Sequence, residues 1–518
     1  MPVAENLPFE KYAAVTVRLP ELQGVAPLRA YSRFYPDGAA VAHLVGYVGT
    51  PNKEEYEKEG KSPLLITPGF KIGKEGVEKT MEPRLRGKPG AQRVEVTASG
   101  RLVRPLLTLQ DTSGKPLPLT VDAGLQTFAA RRLGDESGSV VVLDCLTGDI
   151  LALASMPAYD PNSFTDGISQ NEWKMLSQDE RKPLLNKALN GLYPPGSTFK
   201  PMVAMALLHA GIDPKARVSC PGGFQLGNRF FRCLGRHGPM TMHTAIARSC
   251  NTYFYAMGRR AGIDVISTMG KRLGIGQKFD LPVVSQNYGT MPSAEWKRKR
   301  YEKSRKLVER PDWTESDTLN TSIGQGFVIV NPLQLAVMVG RIASGLDIQP
   351  RLVRSNARPP APLPFAKEHF EAVRGGMWEV VNGAGTAGRS RLEIEGVEMG
   401  GKTGTAQVRR ITGSQRGQSG EWKYRDHGLF VCFAPTAAPR YACSVVIEHG
   451  MGGARAAAPV AKDVLTYLFD KPKALEALAK FEEQWGGTLA ERMEARARRW
   501  LAAQGAEAAK RQPASGDR

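Results

Sequence analysis

The chain has 518 residues, 42% hydrophobic and 23% charged, a balance that suits an ordinary folded protein with room for two or more domains. Its formal net charge of +19 suits an anionic partner, yet no nucleic-acid module and no basic stripe interleaved with stacking aromatics accompanies that charge, so nucleic acid is excluded as a partner. No run of about 18 apolar residues exists to cross a membrane, and Met1–Gln23 lacks the apolar core and cleavage site of a secretory signal.

In chain order, residues 1–118 are rich in Gly, Pro and charge, with short strands. Their glycine-punctuated blocks, Gly73 to Glu78 and Leu85 to Gly90, predict turns with positive φ around a compact support. They are not a phosphate cradle, because no strand-then-helix frame surrounds them. Asp111–Pro118 reads as a linker. A helix-like stretch begins at Leu125–Leu133, and two apolar runs, Ser139–Asp144 and Ile150–Ser155, form a hairpin over Thr147-Gly148-Asp149.

Tyr193-Pro194-Pro195-Gly196 then stops the chain, and Thr198–Ala210 reads as a helix with Pro201 in its first turn and Gly211 at its end. Met202–Leu208 is apolar on every face, so this helix is buried. The densest basic run, Lys297–Lys306, reads as a solvated surface element, with attraction to wall polymer or lipid headgroups as the functional alternative. Pro359–Pro364 is a surface spacer.

Gly401–Val408, Leu429–Ala434 and Tyr441–Ile447 give three late strands, with a polar, mobile Gly/Ser loop at Ile411–Glu421. Two strands early, three late and helices between predict an α+β domain over 119–470, with a five-stranded antiparallel sheet covered by helices. Residues 471–518 read as a basic helical tail that becomes disordered at Gln512–Arg518.

Three motifs carry the chemistry. Ser197-Thr198-Phe199-Lys200 puts a serine at a helix start and a lysine one turn on, with Cβ atoms about 5–6 Å apart. The helix terminus favours negative charge developing at the serine, and an apolar, cation-rich pocket depresses the lysine pKa, so that a neutral amine takes the serine proton. The second motif is Ser249-Cys250-Asn251. Its competitor, Ser285-Gln286-Asn287, lies in an irregular stretch beside Pro282, Tyr288 and Gly289. Third, Lys402-Thr403-Gly404-Thr405 sits on a strand whose alternation puts Lys402 and Gly404 on one face and both threonines on the other. Gly404 is expected to let a substrate backbone approach. Each motif is weak alone; the three in order, in matching contexts, are a strong signal.

Cys145, Cys432 and Cys443 lie in strand-like runs and fill core space. Cys220, Cys233, His237 and Cys250 are separated by twelve, three and twelve residues, and three thiols with an imidazole can close a tetrahedral zinc site. His243 is an alternative ligand. A Cys220–Cys233 disulfide and unpaired buried thiols are the other readings.

The three motifs match the serine acyltransferases that penicillin inactivates, and the chain resembles the class B penicillin-binding proteins. Supporting stretches are Arg33-Phe34-Tyr35-Pro36, His43 to Tyr47, Gly289-Thr290-Met291-Pro292-Ser293 with Trp296-Lys297, Ser322-Ile323-Gly324-Gln325-Gly326, and Asn331-Pro332-Leu333-Gln334. The resemblance implies a pedestal (dimerisation-type) domain before a transpeptidase domain that cross-links peptidoglycan stem peptides through an acyl-serine and is inhibited by β-lactams. Its same-fold alternatives are a D,D-carboxypeptidase, a β-lactamase, a β-lactam sensor or an inactive scaffold.

It further implies that Ser249 relays a proton, Asn251 positions the substrate backbone and Lys402 supports acylation. Thr403 and Thr405 hold the substrate carboxylate, and the backbone N–H groups of Ser197 and Thr405 form the oxyanion hole. His427 takes a structural or substrate-edge role. A metal site beside the middle motif occurs in some relatives, with His237 and Cys250 matching its ligands and Cys220 and Cys233 falling where acidic ligands can occur. No metal is needed for the chemistry. A RodA-type glycan polymerase and other elongation-complex proteins are the implied partners, and the periplasmic face of the inner membrane the implied place, although the family's membrane anchor and early pedestal block are missing from the sequence.

Overall fold

Continuous β-branched and small apolar runs, such as Ser139 to Leu143 and Cys443 to Ile447, cannot expose either face to water and so form strands inside a sheet covered on both sides. In the computed structural model, which describes residues 7, 9–25, 27, 33–67, 69–306, 308–356, 358–408 and 420–511, five such strands make one sheet. They are β1 (Gly138–Asp144), β2 (Ile150–Met156), β3 (Gly400–Ala406), β4 (His427–Ala434) and β5 (Tyr441–Ile447). Their order is β3-β4-β5-β1-β2, and every neighbouring pair is antiparallel. The five-stranded α+β domain expected from the sequence is therefore present.

Helices cover both faces and the β2 edge. Pro332–Ser344 packs on β5 and β1, and Ser444 Oγ donates to the Pro332 carbonyl at 2.6 Å. Ala123–Leu133 packs on β2. Its Gln126 side chain accepts from Leu153 N–H (2.7 Å) and donates to Leu153 O (3.2 Å), so an edge residue finds both backbone partners in one buried amide. β3 is the opposite edge and is thin for a steric reason. Added Cβ atoms on Gly400 and Gly401 would lie 2.8 Å and 2.5 Å from the rings of Phe433 and Phe430.

Two compact units are present, and the sequence boundary needs correction. The first unit takes in 158–178 and 282–284 besides 1–119; the second holds the sheet and runs to the C-terminus. Composition could not show that 158–178 joins the first unit by side chains. Asn162 bonds both the N–H and the carbonyl of Tyr35 at 3.0 Å, and Phe164 packs on Tyr47 with centroids 4.4 Å apart. The glycine blocks are tight contacts here: a Cβ on Gly46 (φ +77°) would stand 1.9 Å from the Glu75 carbonyl.

The C-terminal stretch is also more than a tail. Helices Lys471–Trp485 and Leu489–Arg511 belong to the second unit, and Arg131 grips Glu482 with two hydrogen bonds of 2.9 Å and 2.6 Å. The loop expected at Ile411–Glu421, apart from its last two residues, and the disordered end at Gln512–Arg518 lie outside the described residues.

One buried cation ties the helical layer together. Arg341 is 2% exposed; it donates to the Ile348 carbonyl through Nε (3.2 Å) and Nη2 (3.0 Å) and to the Arg272 carbonyl through Nη1 (2.8 Å). Replacing it by methionine keeps the volume but strands these acceptors. Arg341→Met is expected to cost about 2–4 kcal/mol, read as a fall in the urea midpoint.

Candidate active site

The Ser197 turn is built by close backbone packing. Tyr193 pairs through its N–H and carbonyl with Val330, and Gly196 N–H donates to Gly324 O at 2.8 Å. Gly196 (φ +53°) has no room for a side chain, since its Cβ would lie 2.5 Å from Thr405 O; Gly324 (φ +71°) is likewise closed by Gly196 O at 2.1 Å. Residues 196–199 form a 3-10 turn before the α-helix Lys200–His209, so the helix expected from Thr198 starts two residues later. Pro195 O explains the tighter turn: it accepts from both the N–H (3.3 Å) and the Oγ1 (2.7 Å) of Thr198.

Ser197 is half-buried, and Lys200, one turn on, is fully buried. Lys200 Nζ meets three neutral acceptors: Ser249 O at 2.7 Å, Ser249 Oγ at 3.2 Å and Asn251 Oδ1 at 2.6 Å. Burial drives its pKa down to about 7, against a smaller upward pull from the sulfurs of Cys233 and Cys250. Of its three acceptors only the Ser249 hydroxyl can also donate, so it is the one group able to exchange a proton with the amine. Ser249 adopts φ +55°, a left-handed conformation uncommon for serine. Its competitor motif is structural, with Ser285 Oγ accepting from Asn190 Nδ2 at 3.0 Å.

β3 closes the arrangement. Lys402 is fully buried and its pKa is pushed well below the usual range by burial and by Lys200. Gly404 has a packing role besides the substrate approach expected of it: a Cβ there would strike Thr198 Cγ2 at 2.7 Å and Pro195 O at 3.0 Å. Its smallness seats β3 on the serine turn. Thr405 is exposed, whereas Thr403 is 8% exposed and shares a 2.6 Å hydrogen bond with the Thr386 hydroxyl.

Cys220, Cys233, His237 and Cys250 converge, with their ligand atoms all within 4.8 Å of one another. Both Cys220 Sγ and Cys233 Sγ lie 3.5 Å from His237 Nδ1, and Cys233 Sγ lies 3.9 Å from Cys250 Sγ. Zinc bonds of usual length place tetrahedral S–N edges at about 3.5 Å and S–S edges at about 3.8 Å, so these residues fit the ion. His243 instead faces Glu379 at 3.9 Å, and all six cysteines are free thiols, Cys145, Cys432 and Cys443 being buried. The cluster reaches the site directly, because Asn251 N–H donates to Cys233 Sγ at 3.2 Å.

A second buried network escaped sequence reasoning. Glu448 accepts from Tyr193 OH (2.9 Å) and Ser137 Oγ (2.5 Å), next to fully buried Lys187, whose pKa burial lowers to about 8 against the pull of Glu448. His427 edges Tyr193, with centroids 5.3 Å apart; burial, then neighbouring His449, brings its pKa down to about 4. The resemblance gives His427 a structural or substrate-edge role, and Tyr193 stands four residues before Ser197, but nothing in the local sequence marks Ser137, Lys187 or Glu448.

The penicillin binding protein transpeptidase domain family matches residues 138–466, and the penicillin-binding protein dimerisation domain matches 1–119. Peptidoglycan D,D-transpeptidase MrdA of Acinetobacter baumannii is 37% identical over 478 residues, covering 88% of this chain and 68% of that protein. Among solved structures, PBP2 of Helicobacter pylori in complex with MreC aligns with a TM-score of 0.80 at 30% identity, over 90% of this chain and 84% of that one. Pseudomonas aeruginosa PBP2 in complex with WCK 5153 gives 0.71 at 36% identity, over 86% and 91%. Sheet order, serine turn, lysine-bearing edge strand and these relatives agree: the chain belongs to the penicillin-binding protein transpeptidase family, among the class B members most like PBP2.

Proposed function

We propose that this chain is a peptidoglycan D,D-transpeptidase that cross-links stem peptides through an acyl-enzyme on Ser197. One observation carries the reading: a buried amine, Lys200, is held by Ser249 and Asn251 one turn from Ser197, in a turn packed against β3. Ser197 Oγ attacks the carbonyl of the penultimate D-Ala, and its proton passes to the neutral Lys200. Backbone N–H groups of Ser197 and Thr405 hold the oxyanion, a contribution of about 3–4 kcal/mol per donor in comparable acyl transfers.

Collapse breaks the C–N bond, and the Lys200 proton reaches the departing D-Ala nitrogen through Ser249 Oγ. The acceptor stem amine then attacks the ester, loses its proton by the reverse path and frees Ser197. Thr405, exposed on β3, binds the substrate carboxylate with Thr403, buried Lys402 sets the potential there, and Asn251 also orients the donor peptide. β-Lactams present the same carboxylate and amide and leave Ser197 acylated.

Cys220, Cys233, His237 and Cys250 would hold a zinc ion, which would supply a structural cross-link and no chemistry of the reaction. The four residues order the segment that carries Ser249 and Asn251. The Helicobacter pylori PBP2 solved with MreC supports an MreC-like elongation partner, and the family resemblance adds a RodA-type glycan polymerase, with catalysis at the periplasmic face of the inner membrane. No helix among the described residues is long and apolar enough to cross a membrane.

Fluorescent penicillin should label the chain at Ser197, with labelling abolished in Ser197→Ala and slowed about 10²–10⁴-fold in Lys200→Ala. An unlabelled chain, or unaffected variants, would remove the mechanism. Because the Lys200 amine must be neutral to accept a proton and its pKa lies near 7, the acylation rate should rise with pH through a limb centred there and fall about tenfold per unit below it. A flat profile from pH 5 to 9 contradicts this role. Elemental analysis should find about one zinc per chain, and stripping it should lower both the melting temperature and the acylation rate. Metal-free protein with a Cys220–Cys233 bond in peptide maps would refute the site.

A further inference from the structure

The transpeptidase family match ends at residue 466, yet the chain continues through Lys471–Trp485 and Leu489–Arg511, which are docked by charged groups. The Arg132 guanidinium lies over the Phe481 ring at 4.5 Å. Arg492, only 7% exposed, reaches Asp135 Oδ1 at 3.0 Å, and Arg496 is ion-paired with Asp179. Both acidic residues also hold Arg181. Its Nη1 donates to the Asp135 carbonyl at 2.6 Å, and its N–H donates to Asp179 Oδ1 at 2.8 Å.

From Arg181 the contacts run without a gap to β3. The guanidinium sits over the Trp422 ring at 5.5 Å, and Trp422 meets the His449 ring edge-on at 4.3 Å. His449 N–H donates to His427 Nδ1 at 3.0 Å. His427 opens β4 opposite Ala406, and its neighbour Gly428 is opposite Thr405.

Backbone strain points to the same place. His449 (φ +58°) and Met451 (φ +67°) are both left-handed without being glycine, a state that costs about 1–3 kcal/mol each and persists only where neighbours over-determine it. The carbonyl of Arg425 (2.7 Å from His449 Nδ1) and that of Asp426 (2.8 Å from Met451 N) supply such constraints. Gly452 and Gly453, next in the chain, lie against Thr405 and Gly404.

We propose that the two C-terminal helices are a brace that positions the Thr405 end of β3, acting through Arg181, Trp422 and His449. The inference rests on the transpeptidase reading, in which Thr405 binds the substrate carboxylate. Arg181, Trp422 and His449 are positioning residues, since they act through the strand and not on the reacting atoms. Lys200 is held independently by Ser249 and Asn251, so loss of the brace weakens carboxylate recognition while leaving the nucleophile armed.

The test compares acylation of the full-length chain by benzylpenicillin and by its methyl ester. Arg181→Ala, and Arg492→Ala combined with Arg496→Ala, should slow the free acid about tenfold and the ester less than about twofold, so that the preference for a carboxylate collapses. Arg496→Lys should retain most of that preference. Parallel slowing of both compounds, or no slowing of either, overturns the brace. Should the arginine variants not fold, Trp422→Leu decides by the same ratio. Absence of Ser197 acylation in the unaltered chain instead overturns the transpeptidase reading on which the brace depends.

Discussion

Everything at the site depends on an amine buried among neutral oxygens. Among the described residues no carboxylate holds the Lys200 proton, so desolvation decides its charge, and three acceptors from one short segment decide where it points. Lys402, buried on the facing strand, has its pKa likewise pushed down by its own burial and then by Lys200. A carboxylate introduced near either would restore an ordinary ammonium and disarm the serine. On the proposed mechanism the segment 249–251 is therefore as much part of the nucleophile as Ser197 is.

The second constraint is steric. Gly196, Gly324, Gly404 and Gly453 allow four backbone segments to meet without side chains between them, because each would put a Cβ within 2.7 Å of another segment. That proximity leaves the serine turn little room to shift against β3.

Much of this was legible in the sequence because local signals agreed. The apolar runs specified the sheet, Pro194-Pro195-Gly196 and Pro201 framed the serine turn, and motif spacing picked out Lys200, Ser249 and Asn251, which the fold brings together. Apart from the helix start, shifted by the local bonds of Thr198 to Pro195, the readings that needed correction or addition concern contacts between distant segments. The role of Gly404 depends on Thr198, and the linkage of residues 158–178 to Tyr35 depends on Asn162. Tyr193, Lys187, Ser137 and Glu448 meet from four separate stretches, and no periodicity or spacing joins them before the chain folds.

That β3 ends the sheet has an evolutionary consequence. Its outer rim offers main-chain groups to whatever lies beside it, and apart from the N–H that a proline would remove, substitutions leave those groups in place. An antibiotic that imitates a peptide bond and its terminal acid thus presses on features that the gene cannot readily rewrite. Escape must come from the surroundings of the strand, by changing how tightly it is held, and each such change also taxes the recognition of the natural peptide.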